Sequence, residues 1–199
     1  MVRLRRTNRT LRPLIGKVEP RYSSETMRKA GLCENIFLHK VIKSNAHTLY
    51  KLLAERAGDK RVNISNVNHP DYHDHVNFVN KHLSGTGPYK HWYMVRYSRM
   101  IVGSVYLTHQ NEIGIFLFKK FQRRGLGGQI IKQLFWHHPE PYFLANVNPK
   151  NTPSKKMFKR LGFVKIQETY RVERESFMAD WKLMDDKMRN DGLYEPGAN

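Results

Sequence analysis

Residues 112–128 read Glu112-Ile113-Gly114-Ile115-Phe116-Leu117-Phe118-Lys119-Lys120-Phe121-Gln122-Arg123-Arg124-Gly125-Leu126-Gly127-Gly128. An apolar run rich in β-branched and aromatic residues feeds a basic turn. Three glycines then open a helical pattern that runs to Trp136. Glycine at such a turn permits positive φ and lets the backbone approach a ligand closely. The free N–H groups at the start of the helix, with its dipole, favour an anion, and Lys120, Arg123 and Arg124 add charge. In physical terms this is a pyrophosphate cradle. No Lys-Ser/Thr pair follows the glycines, which excludes a P-loop, and the third glycine is misplaced for a dinucleotide fingerprint.

Outward from this stretch, Pro139 and Pro141 end the helix begun at Gly125. Tyr142 to Val147 reads as a strand, Pro153 to Leu161 as a helix and Phe163 to about Val172 as a strand. Upstream, His91–Tyr97, Met100–Thr108 and Glu112–Phe118 read as strands joined by short turns, hence antiparallel hairpins. Ile36–Ile42 reads as the first strand. A helix capped by Ser44 or Asn45 follows through Ala57, with Leu49, Leu52 and Leu53 on its apolar face. Asp71–Leu83 reads as a second helix, with Val76, Val79 and Leu83 inward. The order β-α-α-β-β-β-α-β-α-β predicts a mixed α/β (α+β) domain, a central, mostly antiparallel twisted sheet flanked by helices. The expected organisation is a basic extension at 1–34, the domain at 35–173 and an acidic helix or tail at 174–199, where Phe177, Trp181, Met184 and Met188 fall at helical spacing.

The chain has 199 residues, a formal net charge of +18 and a mean hydropathy of −0.65. No run approaches the roughly 18 apolar residues of a membrane span. Cys33 is the single cysteine, so no intrachain disulfide or Cys-rich metal site forms, and a reducing, cytoplasmic setting is expected. Net charge is +7 over 1–30, +13 over 31–173 and −2 over 174–199. The excess therefore runs through the body and attracts polyanions or phosphate-bearing ligands. The acid-free start with Arg3, Arg5, Arg6, Arg9, Arg12 and Lys17 fits a phosphate-meeting extension, a transit-peptide-like segment or a solvated tail; it lacks a secretory apolar stretch.

The segment Gln122-Arg123-Arg124-Gly125-Leu126-Gly127 resembles the Gln/Arg-x-x-Gly-x-Gly/Ala motif of the GNAT N-acetyltransferases. Asn148 to Ser154 followed by Gly162-Phe163 resembles that family's Asn-x-x-Ser…Gly-Phe segment, and the Met100–Gly103 hairpin is also similar. The resemblance spans about residues 36–170. It implies acetyl-CoA as acyl donor, no metal, and direct attack by an amine without a covalent enzyme intermediate. It further implies that strand 112–118 splays from strand 142–147, with the Phe116, Leu117 and Phe118 backbone along the pantetheine. Gln122, Arg123, Arg124, Gly125, Leu126, Gly127 and Gly128 would hold the pyrophosphate. Asn151 and Ser154 would touch the cofactor, and Lys155, Lys156 and Lys159 would meet the adenosine 3′-phosphate.

An amine with a pKa near ~10 must shed a proton before it attacks. Glu112, at the opening of the fourth strand, is the candidate base by this resemblance; its alternative is a solvated carboxylate. Phe158 stands where many members carry a tyrosine acid, which leaves that role to Tyr170, Tyr142 or water, or to no acid at all, a thiolate being a tolerable leaving group. His69, His73 and His75 do not share one helical face, so capping and an acceptor-facing role for His75 are favoured over a metal. The stretch from His75, ahead of the Tyr93 strand, is similar to acetyltransferases of nucleotide-linked amino sugars, which makes His75 and Tyr93 candidate acceptor contacts. Three functions follow: an N-acetyltransferase of a small amine such as a nucleotide-linked amino sugar; a GNAT enzyme acetylating an amine of nucleic acid or a nucleoprotein; and a non-catalytic nucleic-acid-binding protein on the same scaffold.

Overall fold

The computed structural model describes residues 24–29, 31–59, 61–62 and 69–170, with single helical positions at 174, 176, 178, 182, 183 and 187. The arginines of the first 18 residues and the Phe177, Trp181, Met184 and Met188 stripe lie outside the described residues. The described residues fall into two compact units, one ending at Phe163 and one beginning at Val164.

In chain order the elements are α1 (Ser24–Lys29), β1 (Ile36–Lys40), α2 (Ala46–Ala57), α3 (Tyr72–Leu83), β2 (Tyr89–Tyr97), β3 (Met100–Thr108), β4 (Ile113–Leu117), α4 (Leu126–His137) and α5 (Thr152–Arg160). The strands form one antiparallel sheet in the order β1-β2-β3-β4. Its turns carry the backbone's positive φ: Ser98 at 54° closes β2–β3 and Asn111 at 61° precedes β4.

Alternation along the strands builds two cores. One holds Tyr93, Val95, Val105, Leu107 and Ile113 against Leu126, Ile130, Ile131 and Leu134 of α4 and Phe158 of α5. The other holds Trp92 and Met94 against Val41, Ala46 and Leu49 and against Val79 of α3, with Tyr89 and Tyr106 packed on it. A Leu or Ile fully buried in such a core contributes roughly 1.5–3 kcal/mol.

Most expected elements are present, with four corrections. Tyr142–Val147 is not a strand: among the described residues it meets β4 at a single parallel bridge, Glu112 with Leu144. Phe143, Ala145 and Val147 pack on the α4 core, so their alternation reports burial rather than a hydrogen-bonded ladder. The described part of 163–172 carries no strand either, and Val164 and Ile166 are 79% and 73% exposed. β-propensity without a pairing edge leaves extended chain. Leu83 at the end of α3 is exposed rather than inward. Asn45 precedes α2, but its side-chain oxygen accepts from the Ile42 amide rather than capping the helix.

Candidate active site

β4 is the sheet edge, and the alternation of its backbone decides what it offers. Thr108 donates its amide to the Glu112 carbonyl at 2.9 Å, and Phe118 donates to the Val102 carbonyl at 3.0 Å. In an antiparallel ladder bracketed this way, even-numbered residues bond to β3 and odd-numbered ones face away. The Ile113 amide, facing away, meets the Leu144 carbonyl at 2.8 Å, and Leu144 returns its amide to Asn111 at 2.9 Å. Beyond that bridge no further pairing joins the two segments among the described residues, so the outward backbone groups of Ile115 and Leu117 front a gap in the ladder. The Leu117 carbonyl is taken by Gln122, which donates its side-chain amide at 2.8 Å. Of the three residues expected to present backbone here, Leu117 does so, whereas Phe116 and Phe118 turn their amides inward. Ile115 was missed; strict period-2 counting from Glu112 would have found it.

Glu112 sits where the gap closes. Its carboxylate accepts from the Asn146 side-chain amide at 2.9 Å, and its own amide donates to the Thr108 hydroxyl at 3.0 Å. On the same sheet face, the Tyr106 ring crosses Gly114, where a Cβ would lie 1.9 Å from the ring. A β-carbon at Gly103 would lie 2.0 Å from the Phe116 carbonyl, so that glycine lets β4 close up on β3. Asn146 has no sequence signal of its own.

Downstream of β4, Phe121 is buried and anchors the basic turn, with Lys120 and Arg124 over its ring at 5.1 and 5.9 Å. Arg123 (φ 60°) and Gly125 (φ 76°) both take left-handed backbone. Gly125 is the N-cap of α4, and no side chain caps the helix. A β-carbon on Gly125 or Gly128 would meet nothing within 4 Å, whereas one on Gly127 would lie 2.8 Å from the Met157 sulfur. Gly127 therefore serves the close approach of α5 to α4, and Gly125 the turn.

Asn151 and Ser154 stand at the start of α5, where the Asn151 oxygen accepts from the Ser154 amide at 3.1 Å. Lys156, Lys159 and Arg160 line a surface hollow on that helix. Phe158 is buried, its ring edge-on to Phe163 at 5.0 Å. Tyr170 is 85% exposed and donates to Glu168 at 2.7 Å. His75 is buried, its Nε2 3.1 Å from the Ala46 carbonyl, and burial lowers its pKa. Tyr93 is buried with its hydroxyl 2.8 Å from His138 Nε2, and burial pushes that phenol up to about 12. The three histidines do not converge: His69 lies against the Pro70 carbonyl and His73 against Asn77.

The FR47-like protein family model matches residues 99–172, from the β2–β3 turn through α5 and beyond. No curated protein matches the sequence. Among solved structures, the ribosomal L7/L12 alpha-N-protein acetyltransferase RimL in complex with coenzyme A matches at a TM-score of 0.57 and 15% identity, covering 71% of this chain and 87% of that one. The microcin C7 self-immunity acetyltransferase MccE, in complex with acetyl-CoA and AMP, matches at 0.55 and 18%, covering 71% and 87%. Mutant forms of the spermidine/spermine N-acetyltransferase SpeG from Vibrio cholerae match at 0.55 and 13%, covering 71% and 88%. The chain shares the fold of these acetyltransferases.

The gap between β4 and 142–147 and the β4–α4 turn fall where the splay and the diphosphate loop were expected. The residues fit an acyl-coenzyme A. The first amides of α4 lack a side-chain cap, the space above Gly125 and Gly128 is open, and Ile115 and Leu117 turn their amides to the gap.

Proposed function

We propose that this chain is an acetyl-CoA-dependent N-acetyltransferase whose acceptor is a primary amine on a small molecule, a nucleotide-linked amino sugar being the most specific candidate. The observation that carries the reading is the edge of β4, which beyond the Glu112–Leu144 bridge has no strand partner among the described residues. Acetyl-CoA, when bound, supplies the electrophilic thioester, whose carbon–sulfur bond is replaced by a carbon–nitrogen bond. The α4 amides from Leu126 to Gly128 hold the diphosphate, with Arg123, Arg124 and Lys120 balancing its charge. Gln122 fixes the loop through the Leu117 carbonyl. Asn151 orders the first turn of α5 and so sets Ser154 and the lysines that follow on the cofactor side. The outward amides of Ile115 and Leu117 align the pantetheine, and the Ile115 amide donates to the oxygen on which negative charge develops.

Glu112 takes the proton of the incoming ammonium, directly or through one water, while Asn146 holds its carboxylate in place. The nitrogen lone pair forms the new bond, and the electron pair of the broken bond leaves on sulfur. The thiolate then takes, through water, the second proton that the newly bonded nitrogen sheds. His75 and Tyr93 support the acceptor side by pinning α3 on α2 and β2 on α4. The nucleic-acid readings rest on net charge, of which the lysines and arginines of the β4–α4 turn and α5 are already matched by the phosphates of coenzyme A. Thiol release from acetyl-CoA across amino sugars, polyamines, basic peptides and amine-bearing nucleic acids identifies the acceptor class. Glu112→Gln is expected to lower kcat about 100-fold with acetyl-CoA affinity unchanged; an unaltered rate removes Glu112 from the mechanism.

A further inference from the structure

Arg56, in the last turn of α2, lays its guanidinium carbon 4.1 Å over the Phe116 ring of β4. Tyr106 lies 6.1 Å from Phe116 and stacks on Tyr89 at 4.0 Å, so the cation is bedded among three aromatic rings. Burial lowers its pKa, opposed in part by the Tyr106 and Tyr89 phenols. Its Nε is buried and finds no hydrogen-bond partner among the described residues. No carboxylate among them forms an ion pair with it. The adjacent Glu55 is turned elsewhere, accepting from the Lys119 amide at 2.8 Å.

A guanidinium drawn out of water without a counter-ion is costly, and its planar fork matches a two-oxygen anion. Phe116 covers the guanidinium carbon, and no described residue takes the buried Nε. The pairings Tyr106 with Gly114 and Ser104 with Phe116 put Phe116, Tyr106 and the Glu112 side chain on one face of the sheet, the face that α2 covers. A molecule whose amine points at Glu112 therefore lays its remainder along β4 toward Arg56. We infer that the acceptor carries an oxyanion, a carboxylate or a phosphate, which the Arg56 guanidinium binds while the amine faces Glu112 and the β4 edge. This assignment rests on the acetyltransferase reading above and names the substrate class of the same site.

The experiment uses the full chain saturated with coenzyme A, titrated with matched probes: glucosamine 6-phosphate against glucosamine, phosphoethanolamine against ethanolamine, and glycine against its amide. Turnover of the same probes with acetyl-CoA is followed by thiol release. At least one anionic probe is expected to bind 10-fold or more tighter than its neutral partner. Arg56→Gln is expected to erase that preference, Arg56→Lys to keep part of it, and both to leave acetyl-CoA affinity unchanged. Whether the phosphate or the carboxylate pair responds tells the two oxyanions apart. Equal binding of charged and neutral partners, no binding of any anionic probe, or a preference that survives Arg56→Gln overturns the assignment. Failure of acetyl-CoA itself to bind overturns the underlying reading instead.

Discussion

The two ends of α4 are built to opposite specifications. At its N-terminus, Gly125 in left-handed backbone opens the helix, no side chain caps it, and the flanking Lys120, Arg123 and Arg124 stand in a turn held by Phe121. At its C-terminus, His138 donates its amide to the Leu134 carbonyl at 3.0 Å, stacks on His91 at 3.8 Å and pairs with the Tyr93 hydroxyl. Lys90 and Glu140 close the same corner at 2.7 Å. One end leaves its first amides without a side-chain cap; the other engages its polar groups internally. On the proposed function, binding and stability are thereby separated along one helix of 12 residues.

The sharpest way to break this contrast is Gly125→Val. A β-branched residue at φ 76° is strained, and its side chain enters the open space over the first amides. Acetyl-CoA affinity is expected to fall about 100-fold, about 2.7 kcal/mol, in a calorimetric titration of a protein that still melts cooperatively. Unchanged affinity would place the diphosphate elsewhere. A smaller effect is expected at α5, whose N-terminus is capped. Asn151→Ala should lower stability by about 1 kcal/mol, read as a lower Tm, with less effect on acetyl-CoA affinity than Gly125→Val. The reverse order would make Asn151 the principal cofactor contact.

The smallest effect belongs to the closed end. Burial first, then the neighbouring His91, His137 and Lys90 charges, pushes His138 down to about 4 from an ordinary 6.5, with Glu140 opposing. Between those values the unfolded chain binds the proton and the folded one does not. Stability from this group is therefore full above about 6.5 and lost as pH falls toward 4. Tm is expected to drop over that window, and His138→Phe to flatten the slope; a slope unchanged by the substitution would assign it to other groups.

The contrast also explains what was legible in the sequence. The open end was legible because its glycines and basic residues stand at fixed local spacing from Gln122 to Gly128. The hairpins and α2 to α5 were equally readable from short-range periodicity. What escaped reading depends on distant backbone. Tyr142–Val147 has the alternation of a strand, yet whether it pairs is decided by where β4 runs, and the two meet only at Leu144. Asn146 and Arg56 meet partners 34 and 60 positions away, at Glu112 and Phe116, which no local pattern encodes. His75 and Tyr93 read as acceptor contacts because buried and pocket-facing polar aromatics look alike until their partners, Ala46 and His138, are seen.

The central claim is that the uncapped amides after Gly125 grip the diphosphate of an acyl-coenzyme A. Calorimetric titration of the full chain with acetyl-CoA tests it directly. Saturable heat at one site per chain, with a rise in Tm, is the predicted result; neither heat nor a Tm shift with acetyl-CoA or coenzyme A would contradict it.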